Sequence, residues 1–407
     1  MALKSDVGER SRRPRDLGRR GSFFAAAATL ALSLWSSGAP SVLYPLYAEA
    51  WDLTPLVVTS VFATFPVALI VTMTLLGDLS DAIGRRRVMM WGVVLIAASA
   101  GVFAVAPAVS FLFVGRVLQG VGAGLAMGAA SAALWENNIS SNPRLASSVA
   151  TVSTSTGLTL ALALSGALAQ FAPLPLVWSY IVLLVLAVAT VGVLAAAPDD
   201  RGANVRRWRP RPLRPAPGIR HPFAIATLSV ALAYCMGAVF LSLGAHMIRQ
   251  FAQTDDLFVI GVLLACSSAA IGVTGLFLGR VPAYRAARIG AVSALVSLVL
   301  MALVAGTGSI VLLLAWCCVG GAAYSFAFTG GLGVINHAAP GRHRGATLSL
   351  LYLFAYLLQA GTAVGVGALA TAFGLGIAIT AAAAFLTLIC LTVLTLARTL
   401  PKAERSK

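Results

Sequence analysis

The chain is predicted to be an all-α integral membrane protein, with 12 transmembrane helices in two pseudo-symmetric six-helix bundles. Three observations predict this. Charged residues are only 10% of the 407 while hydrophobic residues are 59%, whereas soluble domains carry roughly 25% charged residues. Runs of about 20 apolar residues, enough to cross a hydrocarbon layer roughly 30 Å thick, recur along nearly the whole length. Counted as twelve crossings, these runs leave 27 of the 29 Lys and Arg residues on one side, with Arg116 inside a span and Arg249 alone on the other side, the bias expected of cytoplasmic segments. The runs are continuous and do not alternate with period two, so helices, not a barrel, satisfy the backbone in lipid.

Residues 1–21 are polar and Arg-rich and read as a basic cytoplasmic tail. The apolar stretch behind them is too long for the core of a cleavable signal peptide. The first span is placed at 22–48, an Ala-, Leu- and Ser-rich run, and the second at 54–77, opening at Thr54-Pro55 and closing at Gly77. The third, 87–107, follows three arginines and ends at Pro107; the fourth, 110–135, stops before Glu136-Asn137-Asn138. The fifth, 147–172, follows Pro143-Arg144, and the sixth, 174–197, starts from a tight reversal at Pro173. The connector 198–221 is rich in Arg and Pro, a composition that favours an extended, solvated cytoplasmic segment.

In the second half, 222–247 opens at Pro222, and 256–279 opens behind Asp255 and Asp256, expected as its N-terminal caps. Span 288–305 follows Arg280, Arg285 and Arg288, and 309–336 follows the reversal at Gly308. Span 345–372 opens after Arg342 and Arg344, and 374–398 after Gly374, leaving a short cytoplasmic tail at 399–407. The bundles are thus 22–197 and 222–398. They look like copies. Ser165-Gly-Ala-Leu-Ala169 matches Val366-Gly-Ala-Leu-Ala370, Pro143-Arg144 stands where the second half has His343-Arg344, and Gly120 corresponds to Gly320, all at nearly one offset.

The net charge of +16 follows from topology and from contact with anionic lipid headgroups, not from nucleic-acid binding. Cys235, Cys266, Cys317, Cys318 and Cys390 all fall in apolar spans and read as small packing residues. There is no nucleotide-binding loop, metal-ligand cluster or catalytic constellation, so no enzyme, cofactor or metal is expected.

One short segment stands out, Gly77-Asp-Leu-Ser-Asp81-Ala-Ile-Gly84-Arg85-Arg86-Arg87, charged between two oily spans. Gly84 allows a turn conformation closed to most residues, and Asp81 is a carboxylate that free helix N–H groups could stabilise. In the fourth span Arg116 precedes Gln119-Gly120-Val-Gly122. An Arg inside a bilayer costs about 2.5–3.5 kcal/mol on insertion scales and usually faces a polar cavity.

These two segments resemble motifs of the major facilitator superfamily. Gly77, Leu79, Asp81, Gly84, Arg85 and Arg86 match its loop between the second and third spans, although Ala82 replaces the usual basic residue. The resemblance implies a conformational latch of Gly77, Asp81, Gly84, Arg85 and Arg86, with Glu136 as partner of Arg85. It implies coupling or cavity roles for Arg116, Gln119 and Gly120. The Gly-Pro pair typical of drug antiporters is replaced by Ala161-Leu162, so Gly157 and Gly166 read as packing glycines.

The family's cavity lies between spans one, four, seven and ten, which brings Tyr44, Tyr47, Tyr234, His246, Trp316, Tyr324 and Asn336 forward as substrate-facing. Acids cluster in tails, loops and helix ends; Glu49 and Asp52, at the outer end of the first span, are the nearest candidates to carry a proton, although an ordinary solvated entrance is the preferred reading. The expected function is secondary active transport by alternating access, namely proton-coupled export of a small hydrophobic compound. Its expected partners are that solute, protons and the lipid bilayer. The protein is expected to be a monomer, multi-pass in the cell inner membrane, with both termini cytoplasmic. The alternatives are a metabolite uptake symporter or facilitator and, from another class, a transport-inactive receptor or scaffold.

Overall fold

A computed structural model describes residues 18–142, 144–198, 218–340 and 343–398. The tail before residue 18, Pro143, most of the 198–221 connector, Arg342 and the tail from 399 lie outside these residues. The described chain is helical throughout. The order is α1 (Gly18–Gly38), α2 (Tyr44–Trp51), α3 (Pro55–Leu76), α4 (Leu79–Ile83), α5 (Arg85–Ala104), α6 (Val109–Glu136), α7 (Arg144–Phe171) and α8 (Trp178–Ala195). It continues with α9 (Arg220–Ala252), α10 (Leu257–Phe277), α11 (Ala283–Thr307), α12 (Ile310–Ala338), α13 (Arg344–Phe373) and α14 (Leu375–Arg398).

Among the described residues, 11 helices are long and apolar enough to cross a bilayer. The twelfth crossing is composite: α1 leads through a turn at 39–43 into α2. The expected single span at 22–48 is therefore broken. Pro40 and Pro45 each remove a backbone donor, and Pro45 sits near the start of α2, where that loss costs little. Four hydroxyls of α1, those of Ser22, Thr29, Ser33 and Ser36, bond within the helix. Thr29 donates to Ala25 O and Ser33 to Thr29 O, both at 2.8 Å, so they cost little in an apolar setting. The segment after α3 is likewise not all loop, because it contains α4, and α5 begins at Arg85.

Side-chain contacts sort the helix ends into two groups. Arg19 reaches Asn138 O and Arg86 reaches Leu194 O, so residues 19, 86, 138 and 194 share the end that also holds both described termini. At the far end Leu56 N donates to Thr371 Oγ1 and Leu257 N to Gln170 Oε1, each at 2.9 Å. These two bonds join α3 to α13 and α7 to α10.

Both pairs cross at a glycine. A methyl on Gly166 of α7 would sit 2.9 Å from Gly261 Cα of α10, and one on Gly367 of α13 would collide with Thr59 of α3. Gly166 and Gly367 are the equivalent positions of the repeated Gly-Ala-Leu-Ala segment. In lipid, where no hydrophobic drive favours helix association, such close backbone approach supplies the packing. Gly157 is also a packing residue, against the Ala31 backbone of α1.

Candidate functional site

A cavity of about 340 Å³ lies midway along the bundle. Its walls come mainly from the middles of α7, α9, α10 and α12, with smaller parts from α1, α3, α6, α11, α13 and α14. One side is aromatic: Tyr234, Tyr324, Phe328 and Tyr356, with Phe62 and Phe65 also on the wall. Serines and threonines of α7 and α10, among them Thr154, Ser155 and Ser268, add hydroxyls. No charged residue lines it among those described.

Of the residues expected to face substrate, Tyr234, Trp316 and Tyr324 do. Tyr44 and Tyr47 do not, being buried in packing at 1% exposure each. Tyr47 reaches Tyr180, whose ring partner is Phe103, stacked at 4.7 Å. His246 lies outside the cavity lining, and Asn336 is exposed near the end of α12. Phe62, Phe65, Phe328, Tyr356 and Gln359 were not anticipated. Attention to spans one, four, seven and ten left out α3 and α13, where Tyr356 of α13 packs against the cluster of Phe65, Leu69 and Ala123.

Arg116 sits one layer behind this wall and does not line it. The side chain is fully buried, at 0% exposure. Its Nε donates to Tyr44 Oη at 3.1 Å, and Nη2 donates to the same oxygen. Nη1 donates to Ser37 O at 3.2 Å and to Gln119 Oε1 at 3.1 Å. The rings of Tyr44, Phe62 and Phe65 lie 5.6, 5.9 and 5.6 Å from the guanidinium carbon.

No carboxylate among the described residues pairs with Arg116. A buried charge is tolerable only if its hydrogen bonds are met. Here four donor contacts and three aromatic neighbours stand in for a counter-ion, each cation–π contact being worth roughly 0.5–2 kcal/mol. Ser37, Phe62 and Phe65 touch both the guanidinium and the cavity, so the charge borders the site through them. Gln119 is equally buried, and its Nε2 has no partner among the described residues. Gly120 is a packing position: a methyl there would meet Phe65 O at 2.5 Å.

At the termini end Arg85 gathers three groups. It donates to Glu136 Oε1 from Nε at 3.2 Å and from Nη2 at 3.1 Å, and it also contacts Asp81 and Ser80 Oγ. This brings together α4, α5 and α6: Arg85 meets Glu136, as the motif implied, while Asp81 pairs with Arg85 where free helix N–H groups were the expected partner. The carboxylates are about half exposed, so the ion pairs contribute little to stability. Gly84 has φ 99°, the left-handed geometry that favours glycine. Gly77 is exposed and approaches its own Met73 carbonyl, not a neighbouring helix. Arg86 does something the sequence did not announce. It donates to Leu194 O at 2.7 Å and Ala195 O at 2.6 Å, capping the C-terminus of α8, where a cation meets the free carbonyls.

At the far end Arg249 of α9 pairs with Glu49 of α2 and with Asp255. Glu49 is thus held in an ion pair while its side chain stays 56% exposed. Of the two expected caps, Asp256 alone serves, accepting from Phe258 N at 2.8 Å and Val259 N at 3.1 Å. The far ends of the helices around the cavity are thus joined by α2–α9, α3–α13 and α7–α10 contacts.

The family model described as Major Facilitator Superfamily matches residues 24–360. The chain matches no curated protein. Among solved structures it is similar to the nucleoside transporter NupG in a D323A form, with TM-score 0.75, 13% identity, and coverage of 93% of this chain and 99% of that one. It is also similar to a bacterial homologue of the human lysosomal transporter Spinster, inward-facing and unoccupied, with TM-score 0.71, 13% identity, and coverage of 95% and 98%. The same homologue in its occupied form gives TM-score 0.73, 13% identity, and coverage of 96% and 98%.

Proposed function

The chain belongs to the major facilitator superfamily and is a multi-pass membrane transporter, not an enzyme; from this premise we propose that it exports a small hydrophobic organic compound by alternating access. In this reading the halves 22–197 and 222–398 rock about the central cavity. Residues 77–87, with Glu136, latch the cytoplasmic side, and Arg116, Gln119 and Gly120 form the buried frame beside the cavity. The bias of Arg and Lys to one side supports cytoplasmic termini in a cell inner membrane. The protein acts as a monomer.

The observation that carries the substrate reading is the cavity wall itself, aromatic and hydroxylic with no charged side chain among the described lining residues. Such a wall suits an uncharged or weakly polar solute. Coupling to protons falls to Glu49, which joins α2 to α9 through Arg249 and so stands where the two halves meet. Facilitated diffusion is the second reading, favoured because every described acid lies at a helix end or in a loop.

Solute flux into and out of proteoliposomes, with and without an imposed pH gradient, tests this. The expected result is flux of hydrophobic solutes accelerated by the gradient. Flux indifferent to it would end the proton-coupled version, and no flux for any solute of a broad panel would favour a receptor or scaffold.

Asp81→Asn tests the latch. Exposed ion pairs are worth about 0.2–1 kcal/mol, so the variant should assemble normally while its flux falls severalfold. Wild-type flux would remove Asp81 from the mechanism.

A further inference from the structure

The ring arrangement in the cavity defines more than a greasy pocket. Tyr234 stacks on Phe328 at 5.9 Å with 21° between planes, and Tyr324 on Phe328 at 6.1 Å and 24°. Tyr234 and Tyr324 lie 6.4 Å apart at 29°. Tyr356 joins them, its ring 4.6 Å from that of Tyr234, with Tyr234 Oη donating to Tyr356 Oη at 3.4 Å. The rings come from three helices, α9, α12 and α13, and all line the cavity. The planes of Tyr234, Tyr324 and Phe328 lie within 21–29° of one another, while Tyr356 is tilted 44° to Tyr234, so the wall is built mainly of layered π-faces. Flat aromatic faces favour another flat ring in offset stacking.

Near them stands Gln359, one turn beyond Tyr356 on α13. Its Oε1 is shielded from solvent and has no partner among the described residues, which is true of no other side-chain polar atom on the described cavity lining. A shielded amide oxygen left unpaired is costly, and a ligand donor would satisfy it once the Gln359 side chain turns towards the cavity. A primary carboxamide offers both a donor and an acceptor, so it can pair with the Gln amide in either orientation. Met127, Met236 and Met301 complete the lining with flexible, polarisable side chains that follow the outline of a ligand.

We propose that the cavity binds a planar, uncharged aromatic compound that stacks on the Tyr234–Tyr324–Phe328–Tyr356 wall and hydrogen-bonds Gln359 through an amide-like edge. This deepens the transport reading, on which its physiological meaning rests, by naming the chemical class carried.

The test is calorimetric binding to the full-length purified protein in detergent, using 2-naphthamide, its saturated analogue decahydronaphthalene-2-carboxamide, and N,N-dimethyl-2-naphthamide. The two primary amides share a polar group and differ in aromaticity; the dimethyl amide keeps the rings and lacks the donor. 2-Naphthamide is expected to bind at least about tenfold more tightly than the saturated amide, the effect of adding stacked ring contacts. Gln359→Leu should weaken 2-naphthamide severalfold and leave the dimethyl amide unchanged. Phe328→Leu should bring the ratio of aromatic to saturated affinity towards one.

Equal binding of aromatic and saturated amides, or no binding of 2-naphthamide, overturns the proposal, and this comparison needs no variant. Flux measured with the same amides separates the two readings. Preferential binding without flux keeps the site and sinks transport of this class. Equal flux of both primary amides keeps transport and sinks the aromatic site.

Discussion

Replacing Arg116 with lysine is expected to cut transport at least about tenfold while the protein still assembles, and replacing it with leucine to abolish transport and lower thermal stability. The guanidinium makes four donor contacts to three groups, Tyr44 Oη, Ser37 O and Gln119 Oε1. A lysine ammonium is a point charge on a flexible stem and cannot span these positions as a planar fork does. Losing one hydrogen bond to a charged group costs about 1.5–3 kcal/mol, which corresponds to at least about tenfold if it falls on the rate-limiting rearrangement. Lysine keeps the charge near the rings of Phe62 and Phe65, so most of the cation–π attraction survives and folding should be spared. Leucine leaves the tyrosine hydroxyl, a backbone carbonyl and the glutamine buried without their donor.

The readouts are flux in proteoliposomes and the melting midpoint in detergent. Wild-type flux for Arg116→Lys would show that the guanidinium frame is only structural. A receptor or scaffold would tolerate the change and depend on its tails instead.

The twelve crossings were legible because lipid imposes a strong, local constraint: each span must be apolar and internally bonded, and charges must wait at the ends. The charged residues proposed as a latch were legible for the same reason. Asp81, Arg85 and Glu136 are rare charges at fixed spacing, and the structure brings all three together. The break in the first crossing left a local signal, Pro40 and Pro45, but it sat inside a run whose hydropathy continues through it.

The cavity was less legible. In a soluble helix an apolar stripe tells which side is buried, whereas a membrane helix is oily on every face, towards lipid and towards neighbours alike. Phe62 and Phe65 therefore look no different in sequence from Val67 or Val71, which are exposed. The same loss of contrast put Tyr44 and Tyr47 in the cavity when they are packed at 1% exposure. The pairing of Glu49 with Arg249 joins residues 200 apart. Nothing local announces it, although Arg249 being alone on its side of the charge count was a hint.

Leucine at Gly166 should have the second large effect, loss of transport with a lowered melting midpoint, and Gly128→Leu should have neither. The two positions differ only in what surrounds them. A methyl at Gly166 would already meet Leu257 O at 2.5 Å and Gly261 Cα at 2.9 Å, whereas one at Gly128 meets nothing within 4 Å. The obstacle at Gly166 is backbone, which cannot step aside as a side-chain tip can. Overpacking of this kind costs typically about 1–3 kcal/mol, and in lipid no hydrophobic drive pulls the helices back together.

The functional cost should exceed the structural one. The α7–α10 crossing belongs to the far-end closure, which in an alternating-access cycle must form and release on every turnover. A wedge there holds that end apart. Gly367→Leu should behave alike, because the equivalent position of the repeat crosses α3, where a methyl would lie 2.9 Å from Thr59 Cβ and 3.0 Å from Pro55 O. Unchanged flux for both variants would remove these crossings from the transport cycle. A defect in only one would mean that the halves do not move symmetrically about the cavity, and that a single crossing carries the closure.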